Sequence, residues 1–267
     1  MVKKVIGVVS LLIVGIGVFL ALFHPSEGYQ FSAANEKQQK TEKAAVSQPL
    51  ASKTAKSDTK KQQAKSDLPK GISTKDWDLV LVNQDHAVTA APTDLVQIGN
   101  YEVDSRIAAP YNEMAQAAAA AQINLVIVSG YRSISYQETL FQESVNAALA
   151  KGMTQAQAEK EALHLRTKPG HSEHNTGLAM DVVDDQWAAA HTDLDASFGQ
   201  TKAGQWLKEN APKYGFVIRY PDGKNKITKV DYEPWHLRYV GKESALYMQQ
   251  HSLCLEEYLD KVSKEAK

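Results

Sequence analysis

Cysteine is almost missing: Cys254 is the single one in 267 residues, which excludes an intrachain disulfide framework and leaves no disulfide partner to expect. It stands in SLCLEEYL, an amphipathic helical pattern where a free cysteine behaves as a small buried apolar residue. An excess of either charge is missing too. The formal net charge of -1 excludes bulk nucleic-acid binding, which needs a clustered basic surface. There is no internal repeat. The segment 26–71 has almost no large apolar residues; it is built from Lys, Gln, Ser, Thr and Ala. Such a chain cannot bury enough surface to offset its ordering entropy, so it reads as a disordered tether. It contains Ser57-Asp58-Thr59-Lys60, a match to the S-x-x-K pattern of serine penicillin-binding enzymes. A tether offers that nucleophile no packed site, and neither K-T-G nor S-D-N occurs elsewhere, so the match reads as chance.

The run Val5–Phe23 lacks any charge and follows Lys3 and Lys4. About 20 apolar residues cross a bilayer as a helix, and the leading lysines favour a cytoplasmic N-terminus. Residues 1–25 are therefore expected to be a single-pass anchor, with the remainder outside the membrane. Cleavage at FSAA, Phe31–Ala34, is the alternative and would release the protein. No cysteine follows the run to take a lipid.

From Ile72 onward the pattern is globular, and one domain is expected over 72–267. DLVLVN (Asp78–Asn83), INLVIVSG (Ile123–Gly130), LAMDVV, FVIRY and WHLRYVG read as strands. Helices are expected near Pro110–Gln122, with the proline in the first turn, and over Ser135–Ala150, closed by Lys151-Gly152. Others start at Thr154, where TQAQ resembles a capping box, and in TKAGQWLKENAPKYG, KESALYMQQ and LCLEEYLDKVSK. Helices and short strands alternate without a regular βαβ repeat. The expected class is α+β: a small, mainly antiparallel sheet flanked by helices.

Three clusters could carry chemistry. In KPGHSEHNTGLAMDVV, His174 and Asp181 flank Gly177. Asp181 sits among apolar strand neighbours, and burying a carboxylate there is expensive unless it is paired or bound to a cation. Gly177 lets the chain bend so that His174 returns over Asp181. A metal site and a polar turn both remain open on these residues alone. In DYEPWHLRYVG, Glu233 and His236 would face opposite sides of an ideal strand, but Pro234 breaks the regularity. A kink would aim both at one point; an edge-strand pair of Glu233 with Arg238 is the plainer alternative. In SGYRSISYQETLF, Arg132 follows a strand end and could offer a fork of hydrogen bonds to a carboxylate or an oxyanion. A surface arginine capping the loop is the alternative.

Together, SGYRS, SEHNTGLAMD and EPWHLRYVG resemble the signatures of the VanY-type zinc D-alanyl-D-alanine carboxypeptidases, which the L,D-carboxypeptidases of peptidoglycan tetrapeptides share. S-x-H-x-x-G-x-A-x-D is met by Ser172, His174, Gly177, Ala179 and Asp181, and WLKENAPKYGFVIRYPDGK, Trp206–Lys224, is similar to the same family. The resemblance covers about Trp77–Gly241. It implies one Zn²⁺ at the sheet on His174, Asp181 and His236, with Glu233 as catalytic base. It also implies that Arg132 and Gln137 hold the substrate peptide, Arg132 assisting the oxyanion, that Ser172 lies beside the terminal carboxylate and that Trp235 walls the pocket. His86, His164, His171, His191 and His251 stay outside the ligand set. The implied activity is extracytoplasmic removal of the terminal D-Ala from peptidoglycan stem peptides, without an acyl-enzyme. D,D-cleavage of a pentapeptide is favoured, with L,D-cleavage of a tetrapeptide as the alternative. A murein endopeptidase and a non-catalytic zinc-containing wall-binding module are further alternatives; Glu233 and Arg132 weigh against the module, since a structural zinc needs neither.

Overall fold

The computed structural model describes residues 67–265. The apolar run Val5–Phe23, residues 26–66 of the tether and the Ser57–Lys60 match lie outside the described residues. Among the described residues no helix is long and apolar enough to cross a membrane.

The chain runs through β1 (Leu95–Ile98), β2 (Tyr101–Asp104), α1 (Ser105–Ala120), β3 (Leu125–Ser129), α2 (Ile134–Ala150), α3 (Gln155–Leu165), β4 (Ala179–Asp184) and α4 (Asp185–Ala190). It continues through α5 (Lys202–Asn210), β5 (Phe216–Ile218), α6 (Asn225–Thr228), β6 (His236–Tyr239), α7 (Lys242–Gln250) and α8 (Leu255–Glu265). The sheets are a two-stranded hairpin, β1–β2, and a four-stranded sheet of order β3-β4-β6-β5 in which every neighbouring pair is antiparallel. This is the α+β architecture of small antiparallel sheets flanked by helices.

Strand alternation sorts the four-stranded sheet into two unlike faces. Met180, Val182, Leu237 and Phe216 point into the main core with Ile107, Met114 and Ala118 of α1 and Ala203 and Leu207 of α5. The other face carries Asp181, His236 and Arg238, all buried. Beyond them Val217 and Val240 join a second core with Tyr247 and Met248 of α7 and Leu255, Tyr258 and Val262 of α8, against which Leu68 and Ile72 also pack. Cys254, just ahead of α8, is buried.

Several local expectations shift. Pro110 lies inside α1 rather than in its first turn, because Asp104 caps the helix earlier by accepting from the Arg106 amide. The capping box at Thr154 forms as the TQAQ pattern predicts. Asp78–Asn83 is not a strand. Its carbonyls at Asp78 and Val80 accept instead from the Arg238 guanidinium, at 3.0 and 2.7 Å, so the backbone is satisfied without a ladder.

Candidate active site

Asp181 lies in β4 and His236 opens β6, and the two are direct partners in the antiparallel register. Their side chains therefore leave the same face side by side. On the other flank, β3 bulges between Ile127 and Ser129, which sets Ser129 opposite Asp181 and re-aims the strand end toward the site. His174 comes from a 3-10 turn, Glu173–Thr176, that ends on Gly177 in the left-handed region at φ 71. That glycine folds the chain back onto β4 while its carbonyl accepts from the Asp104 amide at 3.0 Å. Alanine there is expected to destabilise the protein by about 1–2 kcal/mol through the left-handed backbone alone. An added Cβ would also press on the Asp104 nitrogen at 3.0 Å. Thermal unfolding of Gly177→Ala checks this, as a Tm lowered by roughly 2–8 °C.

The loop after β3 is pinned to the 3-10 turn at three points. The Gly130 carbonyl meets His174 Nδ1 at 2.8 Å, the Arg132 amide donates to the His174 carbonyl at 3.1 Å, and Asn175 Nδ2 donates to the Arg132 carbonyl at 2.8 Å. Gly130 itself rests on β2, where a Cβ would fall 2.5 Å from the Glu102 carbonyl oxygen.

His174, Asp181 and His236 each offer a ligand atom, and these atoms lie within 4.8 Å of one another. All three residues are buried. A carbonyl can only accept, so His174 carries its proton on Nδ1 and turns a bare Nε2 lone pair toward Asp181 Oδ2, 3.3 Å away. His236 Nε2 faces Glu173 Oε2 at 3.5 Å, and neither buried atom has another partner among the described residues. With its proton there, His236 turns a second lone pair, Nδ1, toward Asp181 Oδ1 at 3.0 Å. Two imidazole lone pairs and a carboxylate converging without enough protons to separate them fit a divalent cation, with each ring fixed by a partner on its far nitrogen. The electrostatics show how strongly the carboxylates draw positive charge to this point, as a proton on His236 Nδ1 or as a cation in its place. Burial alone would lower the His236 pKa, yet hydrogen bonds to Asp181 and Glu173 outweigh it and push it up to about 9. Burial holds His174 below its ordinary value. Asp181 stays well below the usual carboxylate range, because its histidine partners overcome its burial.

Glu233 ends on the same point. The His236 amide donates to the Glu233 carbonyl at 3.2 Å, closing a turn around Pro234, and this turn brings Glu233 Oε2 to 3.7 Å from His236 Nδ1. Its side chain stays 30% exposed, yet burial against the site pushes its carboxyl up to about 7. Arg132 approaches from the other side, its NH2 3.7 Å from Asp181 Oδ2. Its guanidinium also donates to Gln137 Oε1 and Ser129 Oγ, both at 3.2 Å. Gln137 is buried and donates to the Thr167 carbonyl at 2.8 Å. Ser172 is buried directly before the 3-10 turn. Trp235 is partly buried against the main core, and its carbonyl accepts from the Val182 amide at 2.9 Å.

The other described histidines are not in this cluster and make other contacts. His171 Nδ1 sits 2.8 Å from the Asn83 carbonyl, His191 stacks on Trp187, His251 Nε2 is 3.2 Å from Asp67, and His86 is exposed. The pair Glu233–Arg238 does not form. β6 is an interior strand, and Arg238 NH1 bonds Glu173 Oε1 at 2.7 Å. Glu173 and Arg219 escaped notice in the sequence, and Arg238 was considered there only as a partner of Glu233. The available signal was an arginine among apolar neighbours in FVIRY and again in WHLRYV, since a buried guanidinium demands a buried acid.

The family model described as VanY, D-alanyl-D-alanine carboxypeptidase, matches residues 100–242. A D-alanyl-D-alanine carboxypeptidase of Enterococcus faecalis (strain ATCC 700802 / V583) is 39% identical over 187 residues, covering 69% of this chain and 66% of that protein. A mutant of the vancomycin-resistance D,D-pentapeptidase VanY, solved in complex with Zn(II), aligns with TM-score 0.59 at 36% identity, covering 69% of this chain and 99% of that one. The LD-carboxypeptidase LdcB aligns with TM-score 0.60 at 39% identity, covering 68% and 85%.

Proposed function

We infer, from a chain that belongs to the VanY family of D-alanyl-D-alanine carboxypeptidases, that the His174–Asp181–His236 cluster hydrolyses the terminal D-Ala bond of peptidoglycan stem peptides. The protein is a zinc carboxypeptidase of this family. The observation that carries the assignment of roles is the meeting of three ligand atoms within 4.8 Å, with Glu233 and Arg132 each 3.7 Å from one of the ligands.

His174 Nε2, an Asp181 oxygen and His236 Nδ1 would hold the metal. Zinc bound there supplies Lewis-acid polarisation of the scissile carbonyl and activation of the attacking water. Glu233 takes the proton as water attacks and returns it to the leaving amine; a base works best with a pKa near the operating pH, where burial puts this one. Arg132, held by Gln137 and Ser129, aims its guanidinium at the developing oxyanion and the peptide. Ser172 stands beside the terminal carboxylate, and Trp235 forms a wall. Capture of a free carboxylate makes the enzyme an exopeptidase. Arg132→Lys keeps the charge but loses the fork, and kcat/KM is expected to fall by about 10²–10³-fold, as for loss of one oxyanion donor. Steady-state kinetics on a stem pentapeptide reads this, and a loss below tenfold would remove Arg132 from the oxyanion role.

The domain, 72–267, is read as the catalytic unit with its metal at the sheet, standing outside the cell on the tether 26–71 and an N-terminal membrane helix. The uncharged run Val5–Phe23 behind Lys3 and Lys4 supports that placement; cleavage near Phe31 would make it secreted.

Pentapeptide is the favoured substrate. The similarity to LdcB, named an LD-carboxypeptidase, supports tetrapeptide as the second reading. Mass spectrometry after incubation with penta-, tetra- and cross-linked muropeptides separates them. Loss of one alanine from the pentapeptide alone supports D,D-cleavage, and loss from the tetrapeptide supports L,D-cleavage. Scission of the cross-link, or zinc binding without turnover, overturns the carboxypeptidase reading.

A further inference from the structure

Behind the site lies a buried chain of charges that the proposed reaction does not use. Glu173 is fully buried, and its Oε1 accepts from Arg219 Nε and Arg238 NH1, both at 2.7 Å. Arg219, also fully buried, turns its other two nitrogens onto Glu256 of α8, NH1 to Oε2 at 2.9 Å and NH2 to Oε1 at 2.7 Å. Arg238 extends to the Asp78 and Val80 carbonyls. Two carboxylates thus balance two guanidiniums. A buried network of this kind is weak grounds for stability, since apolar residues of similar volume do as well. Its position is more informative: the remaining oxygen of Glu173, Oε2, is aimed at His236 Nε2, 3.5 Å away, and among the described residues both atoms are otherwise without a partner.

We propose that Glu173 is a positioning residue that fixes the tautomer of His236, and that α8, through Glu256 and Arg219, holds Glu173 in place, so that docking of the C-terminal helix and zinc affinity are coupled. The inference rests on the reading of His174, Asp181 and His236 as the metal ligands. Glu256 lies beyond residues 100–242, the part matched by the family model. Both arginines donate to Oε1, so a glutamine at 173 must place its carbonyl there and turn its NH2 toward His236. His236 Nε2 must then accept, its proton moves to Nδ1, and the lone pair meant for the metal is lost. Removing the Glu256 charge leaves Arg219 half-partnered and free to pull Glu173 away from the ring. By linkage, zinc must hold α8 down as strongly as α8 holds zinc.

The test measures zinc affinity of the full-length chain by chelator competition, and the visible spectrum of the Co²⁺-substituted protein. Glu173→Gln is expected to weaken zinc by about 10–100-fold, the range for partners that orient a ligand, to shift the cobalt bands and to leave KM for the peptide unchanged at saturating zinc. Glu256→Gln is expected to weaken zinc several-fold, with a smaller shift in the same direction. Met114→Ala, in the main core on α1, serves as the comparison: it is expected to lower Tm without changing zinc affinity. A folded Glu173→Gln with native zinc affinity and cobalt spectrum overturns the proposal. If that variant does not fold, Glu256→Gln decides: native affinity and spectrum overturn it. Equal weakening in Met114→Ala would mark general loosening and also overturn it. His236→Ala, measured alongside, keeps the two readings apart. If it binds zinc as the native chain does, the ligand assignment itself is wrong.

Discussion

Glu233→Gln is expected to retain zinc and to lose about 10²–10⁴-fold in kcat, the range for removal of a general base. The amide has nearly the shape of the carboxylate. The turn that positions it is closed by backbone, the His236 amide to the Glu233 carbonyl, so the side-chain change leaves the turn intact. What disappears is the capacity to take a proton, at a carboxyl that burial raises to about 7. Glu233 is outside the three-residue cluster, so metal content should be unchanged. Zinc stoichiometry by atomic absorption beside steady-state kinetics gives both readings. Turnover within tenfold of the native enzyme would show that another group moves the proton.

Asp181→Asn is expected to abolish zinc binding at micromolar concentrations and activity with it. Asp181 is the only anion among the three proposed ligands, and it faces His174 Nε2 at 3.3 Å and His236 Nδ1 at 3.0 Å. The amide carries no charge, and its NH2 would occupy a lone pair needed by the cation. The loss should exceed the roughly 10–100-fold typical of outer partners. Treating the native chain with a chelator should reproduce the inactivity, and added Zn²⁺ should restore the native chain but not the variant. A variant that binds zinc stoichiometrically would remove Asp181 from the ligand set.

The two predictions differ in how far the sequence alone reaches them. Gly177 between His174 and Asp181 is a local signal, and the bend it allows is the bend observed. Pro234 likewise marks the turn that carries Glu233 toward His236. The pairing of Asp181 with His236 is not local. It follows from register between β4 and β6, strands far apart in the chain, and no spacing encodes it. The bulge that sets Ser129 opposite Asp181 is equally invisible, because an unpaired residue leaves the apolar pattern of INLVIVS unchanged. Asp78–Asn83 misleads for a related reason: its apolar residues pack, but an arginine from β6 takes the carbonyls a neighbouring strand would have claimed. The hairpin β1–β2 was within reach. Ile98-Gly99-Asn100-Tyr101 places Gly99 at φ 59, and glycine followed by asparagine between apolar residues is a two-residue hairpin signal.

That hairpin bears on how the protein breathes. The β2 backbone takes the Tyr131 amide at 2.6 Å through the Glu102 carbonyl and gives the Asp104 amide to Gly177, touching the segments on either side of His174. A fluctuation that lifts β2 would therefore unfasten both segments together, so their amides should exchange with solvent deuterium as one cooperative unit rather than as two independent loops.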